Sequence, residues 1–275
     1  MNRRTALPTG RYRGLLALAL LLGATAALVA FAPAQWLASA VASATGGSLL
    51  LAEARGTVWS GSAMPVLTGG AGSQDAAALP GRLGWRLGLG RDGLAMHLQQ
   101  ACCIRGEISL KLSPRWNGLK LSLPGGGEGA PPVLLGQWPA AWLSGLGTPF
   151  NTLQLGGWFS LSSQALTLDS AGGRWTLQGQ GTLALHDVSS RVSTLPALGS
   201  WRVVLQGGAA GTSPRLQLLT DRGPLHLQGQ GEWSANGRLR FRGDARAEPG
   251  TESALNNLLN IIGRRQGTLA VITIG

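Results

Sequence analysis

The chain has 275 residues, with 23 basic against 12 acidic side chains and a formal charge of +11. Its 43 glycines are well above the usual share of about 7% and exclude a protein of long helices throughout. Its abundant leucines exclude a disordered glycine-rich chain. The arginines are scattered and form no basic stripe, so nucleic acid is not expected as a partner.

Four of the arginines, Arg3, Arg4, Arg11 and Arg13, lie in the first thirteen residues. Without them the chain still carries 19 basic against 12 acidic residues, a net +7. Residues 14–32, GLLALALLLGATAALVAFA, are then uncharged for 19 positions. At about 1.5 Å per helical residue they nearly span a hydrocarbon core of about 30 Å. The flanking arginines favour a cytoplasmic N-terminus and place the rest of the chain across the membrane. This gives a cytoplasmic basic tail at 1–13, a transmembrane helix at 14–32, a membrane-proximal linker at 33–53 and a periplasmic β domain at 54–275. The rival is a cleaved signal peptide, with Ala30-Phe31-Ala32 or Ala42-Ser43-Ala44 as the small-residue site. Pro33 after the first and the long apolar run both favour the retained anchor.

Next comes ARGTVWSGSA, residues 54–63. It lacks the Gly-x-Ser-x-Gly of a nucleophile elbow and has no phosphate-loop lysine. Thr57-Val58-Trp59 has strand propensity between Gly56 and Gly61, so it reads as the first strand, pinned to the sheet by Trp59.

From there the apolar residues alternate with period two, the mark of half-buried strands. Leu83, Trp85, Leu87 and Leu89 share one face, then Leu94, Met96 and Leu98. Ile108 to Leu112, Leu119 to Leu123, Trp201 to Leu205, Leu216 with Leu218, and Leu239 with Phe241 continue the pattern. GRDG at 90–93 and SANG at 234–237 read as hairpin turns. The pentapeptide LQGQG occurs at 177–181 and again at 227–231, read as a strand, a glycine-rich break and a strand, with glycines that would let a strand bend or bulge. The fold class is therefore an all-β domain, one long curved antiparallel sheet of hairpin repeats with one or two short helices. Those helices are expected at WPAAWLSGL, 138–146, and TESALNNLLNIIG, 251–263. The second has Thr251 or Ser253 as cap, Gly263 as stop, and an apolar face of Leu255, Leu258, Leu259 and Ile262.

The chemistry-bearing residues are sparse. GLGRDG at 88–93 is formally Gly-x-Gly-x-x-Gly, but a strand pattern follows where a dinucleotide site needs a helix. His97, His186 and His226 are isolated in sequence, and the acidic residues form no suggestive pair. His186-Asp187 would matter only if a serine converged on it in space. No catalytic, metal or cofactor site is expected. Adjacent Cys102 and Cys103 read first as two small apolar residues on a strand. A vicinal disulfide or an intermolecular bridge is the alternative in an oxidising compartment. Of the ten tryptophans, Trp59, Trp85, Trp116, Trp158, Trp175, Trp201 and Trp233 fall in or beside strands and are expected mostly in the core.

Taken in order, these features resemble protein N of the type II secretion system. The resemblance rests on the basic tail with one apolar span, on GTVWSG at 56–61 followed by Ala63, and on PGRLGWRL at 80–87. It also rests on the closing run from LQGQGEW to the glycine-led last strand. It implies a single-pass inner-membrane protein with a periplasmic β domain. Its role would be accessory, in a machine that exports folded proteins through an outer-membrane secretin. The partners implied are the secretin and inner-membrane platform proteins, and no catalytic residues carry over. Gly56, Thr57, Trp59, Gly61, Trp85 and Trp233 are the structural or interaction candidates. The alternative is a lipid-binding or lipid-shuttling groove, with leucine and tryptophan on an open face of the sheet.

Overall fold

The computed structural model describes residues 9–90, 93–126, 130–172, 174–208, 212–233 and 238–275, with side chains from residue 14 onward except at 174. The expected turn at 234–237 lies outside the described residues, as do the two central positions of the turn at 90–93 and most of the basic tail.

The apolar N-terminal run forms helix α1, Thr9–Ala30. Every described side chain on it is exposed, Leu20 at 73% and Leu28 at 58% among them. Among the described residues no helix is long and apolar enough to cross a membrane. The stretch read above as a linker holds a second helix, α2 (Ala34–Ala44), and the start of the first strand, β1 (Leu49–Gly56). α2 lies along β1 and buries Ala34 completely.

Among the described residues the rest is one antiparallel sheet of 16 strands. After β1 come β2 (Ser60–Thr68), β3 (Ala76–Ala78), β4 (Leu83–Gly90), β5 (Gly93–Gln99), β6 (Ile108–Arg115) and β7 (Gly118–Ser122). β8 (Val133–Pro139) leads into a 3-10 helix at Ala140–Leu146 and a one-turn helix α3 (Phe150–Leu153). Two 17-residue strands follow, β9 (Leu155–Ala171) and β10 (Arg174–Ser190). β11 (Gly199–Gln206), β12 (Arg215–Arg222), β13 (Leu225–Trp233) and β14 (Leu239–Ala247) continue the meander. Helix α4 (Glu252–Ile262) then precedes β15 (Arg264–Gln266) and β16 (Leu269–Ile274). Neighbours in the sheet are mostly neighbours in sequence. The exceptions are β3, which pairs with β2 beside β4, β8, which shares the same edge of β9 with β7, and β16, which inserts between β14 and β15.

The period-two pattern becomes a ladder. Leu89, Leu94, Leu112, Leu121, Leu168 and Leu177 stand opposite one another in turn across β4, β5, β6, β7, β9 and β10. Cross-strand partners share a face, so six leucines form one row. One step along, Ala95, Lys111, Ser122 and Thr167 are opposed on the other, more polar face.

Three buried clusters sit on the apolar face. Ala34, Ala63 and Trp85 pack under α2. Ile104, Ile108 and Leu135 join the loop after β5 to β8. The largest cluster holds Val188, Leu198, Trp201, Leu225 and the α4 residues Leu255, Leu258 and Leu259. The α4 stripe is the one its spacing predicts, but its cap is different. Thr251 makes no side-chain cap bond; its hydroxyl donates to the Glu248 carbonyl at 2.8 Å.

Other expectations are corrected. At 138–146, Trp138 and Pro139 end a strand, and only 140–146 is helical, in 3-10 form. Neither LQGQG is broken: both lie inside continuous strands. In β10 the register shifts between Gln178 and Gln180, so Gly179 sits at a bulge that the long strand absorbs. Of the seven tryptophans expected mostly in the core, only Trp85 and Trp201 are buried, each 4% exposed. Trp116, Trp158 and Trp175 are 106%, 56% and 63% exposed. Alternation assigns a face, but it does not say whether anything covers that face at that height of the strand.

Candidate functional site

GTVWSG is not a strand. Gly56 ends β1 and Ser60 begins β2, so Thr57-Val58-Trp59 form the corner between them. Two glycines make the corner possible. Gly56 has φ +89°, and a Cβ there would lie 2.5 Å from the Ser60 carbonyl oxygen. At Gly61 a Cβ would lie 2.6 Å from the Trp85 ring. Trp85 therefore slides flat beneath the corner, and its indole N–H donates to the carbonyls of Thr57 and Val58 at 3.2 and 3.1 Å. The Thr57 hydroxyl closes the turn by accepting the Ser60 N–H at 3.1 Å.

The corner also holds the N-terminal helix. The half-buried Trp59 donates its indole N–H to the Val29 carbonyl, in the last turn of α1, at 2.7 Å. That carbonyl is one of the acceptors a helix C-terminus leaves without an intrahelical partner. Val58 N–H donates to the Ala32 carbonyl at 2.9 Å, and Pro33 bridges Thr57. Residues 56–61 thus join the exposed apolar helix to the sheet. Trp59 holds the helix end, where a sheet anchor was expected, and Trp85 is the anchor in the sheet. Sequence reading missed this because nothing local in GTVWSG signals a partner thirty residues away. Trp233 belongs elsewhere: it ends β13 opposite Leu239, half-buried, and its backbone N–H donates to the Pro214 carbonyl.

Cys102 and Cys103 are joined by a disulfide, with Cα atoms 3.7 Å apart, in the turn after β5 and not on a strand. Together with Leu134, Gln137, Trp158 and His186 they line a cleft.

Two histidine clusters test for catalysis. His97 meets Glu107 and Ser109 through the same ring nitrogen, Nδ1. A triad needs its acid and its serine on opposite nitrogens, so this group cannot relay a proton from serine to carboxylate. Gln99 donates to the other Glu107 oxygen at 2.7 Å, and the Gln99 and His97 bonds hold the Glu107 carboxyl below the usual glutamate range. His186 Nε2 meets the Ser160 hydroxyl at 2.9 Å, but the adjacent Asp187 turns to Arg222 at 2.6 Å. Ser160 and His186 are therefore a pair without the orienting acid that the chain neighbour seemed to offer. Among the described residues no group of three or more His, Cys, Asp or Glu side chains is placed to hold a metal ion.

A family model for type II secretion system protein N matches residues 47–271. The chain belongs to that family. Membership implies a role in type II secretion and work alongside other components of that machinery, and the family is not a known enzyme family. The match begins just after α2 and takes in the corner, both long strands and α4. No curated protein and no solved structure matches the chain.

Proposed function

We propose that the chain is an accessory structural component of the type II secretion machinery. It is held in the inner membrane by α1, with its sheet in the periplasm, and it contacts the secretin or the inner-membrane platform. One observation supports the anchoring: a 22-residue helix, uncharged from Gly14 to Ala30 and exposed at every described side chain, is tied by backbone and indole hydrogen bonds to the first corner of the sheet. An unpartnered helix of that composition belongs in lipid. The domain organisation proposed with it is a cytoplasmic tail at 1–13, the span at 14–32 and a periplasmic domain beyond, whose sheet begins at Leu49, within the stretch read from the sequence as a linker.

The sheet offers a partner a strand edge. β15 covers β16 only over Leu269, Ala270 and Val271. The outer edge from Ile272 to Ile274 has no further strand among the described residues, and Ile274 is 52% exposed. A partner strand can add there through main-chain hydrogen bonds. The test is deletion of the gene in its host. Secreted enzymes should then accumulate in the periplasm, and normal secretion without a second copy of the gene overturns the reading.

The leucine ladder favours a second reading, a lipid-binding groove. Leu94, Leu112, Leu121, Leu168 and Leu177 belong to none of the three buried clusters. All five are half-buried, and an apolar row of this kind fits an acyl chain. Native mass spectrometry of the chain released from lipid nanodiscs should show a bound phospholipid if this reading holds, and bare protein if it does not.

A further inference from the structure

The sheet's two ends differ in what they expose. The corner at 56–60 and the hairpin ends after β4, β6 and β9 all point the same way, because the strands alternate in direction. Each hairpin end carries an exposed apolar residue: Leu89 at 93%, Trp116 at 106% and Trp175 at 63%. Single exposed apolar residues need no explanation. Three at the ends of successive hairpins, Trp116 in a turn and Leu89 and Trp175 beside one, do.

The register sets their heights. Ser60 lies opposite Arg86, and β4 runs on to Gly90, about 13 Å further at roughly 3.3 Å per residue. Gly90 lies opposite Gly93, Leu94 lies opposite Leu112, and β6 runs on to Arg115, which is about 7 Å beyond Gly90. Gly118 lies opposite Ala171, so the last two hairpins end level. Beyond them the sheet retreats: Gly207, just past β11, bonds back to Gly179. The ends therefore advance along an oblique line away from the corner that holds α1, with neighbouring hairpins about 10 Å apart.

We infer that this oblique edge, with Leu89, Trp116 and Trp175 at its tips, rests on the bilayer surface into which α1 inserts. The inference rests on the anchoring reading above. Tryptophan is the residue suited to the membrane–water boundary, with an apolar body and a polar N–H. Trp175 also shares a face with Leu177, the last member of the leucine ladder, so the apolar surface continues from tip to sheet. Just behind the tips stand Arg115 and Lys120, with Asp169 as the acid beside them, a balance that suits anionic headgroups. Strands seated this way stand tilted on the membrane, with the β16 edge away from it.

The test uses the full chain in nanodiscs of phosphatidylethanolamine and phosphatidylglycerol. Trp116, Trp175 or Trp158 is replaced singly by the photo-crosslinker p-benzoyl-phenylalanine. Trp158 is the control, exposed but about 40 Å down β9 from the tip. After irradiation, mass spectrometry should show one phospholipid added at positions 116 and 175, at least tenfold more than at 158. Chain that travels with the nanodisc but gives no adduct at 116 or 175, or equal adducts at all three, overturns the inference and leaves the anchor standing. Chain that fails to enter the nanodisc overturns both. Adducts to another secretion protein in cells, with none to lipid, also overturn it and mark the tips as a protein contact.

Discussion

The base and the tips of this sheet are built from the same alternation of leucine and glycine, yet only the base is packed. At the base, α2, the turn at 100–107 and α4 each lay a cover on the apolar face, and Trp85, Ile104 and Leu258 are buried there. At the tips the same face has no cover, and Trp116 and Trp175 stand in the open. The contrast separates two roles. The base carries the stability of the domain, and the tips carry its contacts.

That division can be broken by mutation, and the largest effect belongs to the base. Trp85→Ala removes a ring packed against Gly61 and leaves two carbonyls without their indole donor. Denaturation should show a loss of about 3–5 kcal/mol. Gly61→Ala pushes a methyl into that ring and should cost about 1–3 kcal/mol in the same assay. Trp59→Phe keeps the ring and removes the indole donor to Val29, worth about 0.5–1.5 kcal/mol. Its clearer sign should be faster proteolysis between α1 and α2, at Phe31–Pro33, without a matching fall in the melting temperature. At the tips, Trp116→Ser should leave stability within about 0.5 kcal/mol. A larger loss would mean that the tips are structural and that the division is false.

The smallest expected effect is acid-dependent. The Glu107 carboxyl sits below its usual range through Gln99 and His97, so its contribution is present above the unfolded glutamate pKa and is lost as pH falls through the lower folded value. Glu107→Gln should flatten that part of the stability–pH curve on the acid side. An unchanged curve would show that the cluster does nothing for the fold.

Much of this architecture is legible in the sequence, because a period of two and a period of 3.6 are direct consequences of backbone geometry. The strands at Leu83–Leu98 and Ile108–Leu121, and the buried stripe of α4, follow from spacing alone. What spacing misses is closure between distant segments. Gly56 and Gly61 looked like the limits of a strand. They are the two sides of a corner: Gly56 turns the chain tightly against the Ser60 carbonyl, and Gly61 leaves room for the ring of Trp85, twenty-four residues on. Val58 and Trp59 have strand propensity, but their hydrogen bonds go to Ala32 and Val29. Cys102 and Cys103 carry no turn signal of their own, and the chain reverses there all the same. Burial of the tryptophans was misjudged for a related reason: whether a ring is covered depends on where each hairpin ends relative to its neighbours, and that depends on register.

The central claim is that α1 holds a periplasmic sheet at the inner membrane as a working part of type II secretion. The most direct measurement is complementation of a deletion strain, scored by the share of secreted enzyme reaching the medium. The full chain should restore secretion. The domain from residue 33 onward, exported by a cleaved signal peptide and shown to be folded in the periplasm, should not. If the released domain restores secretion as fully as the anchored chain, the claim is wrong.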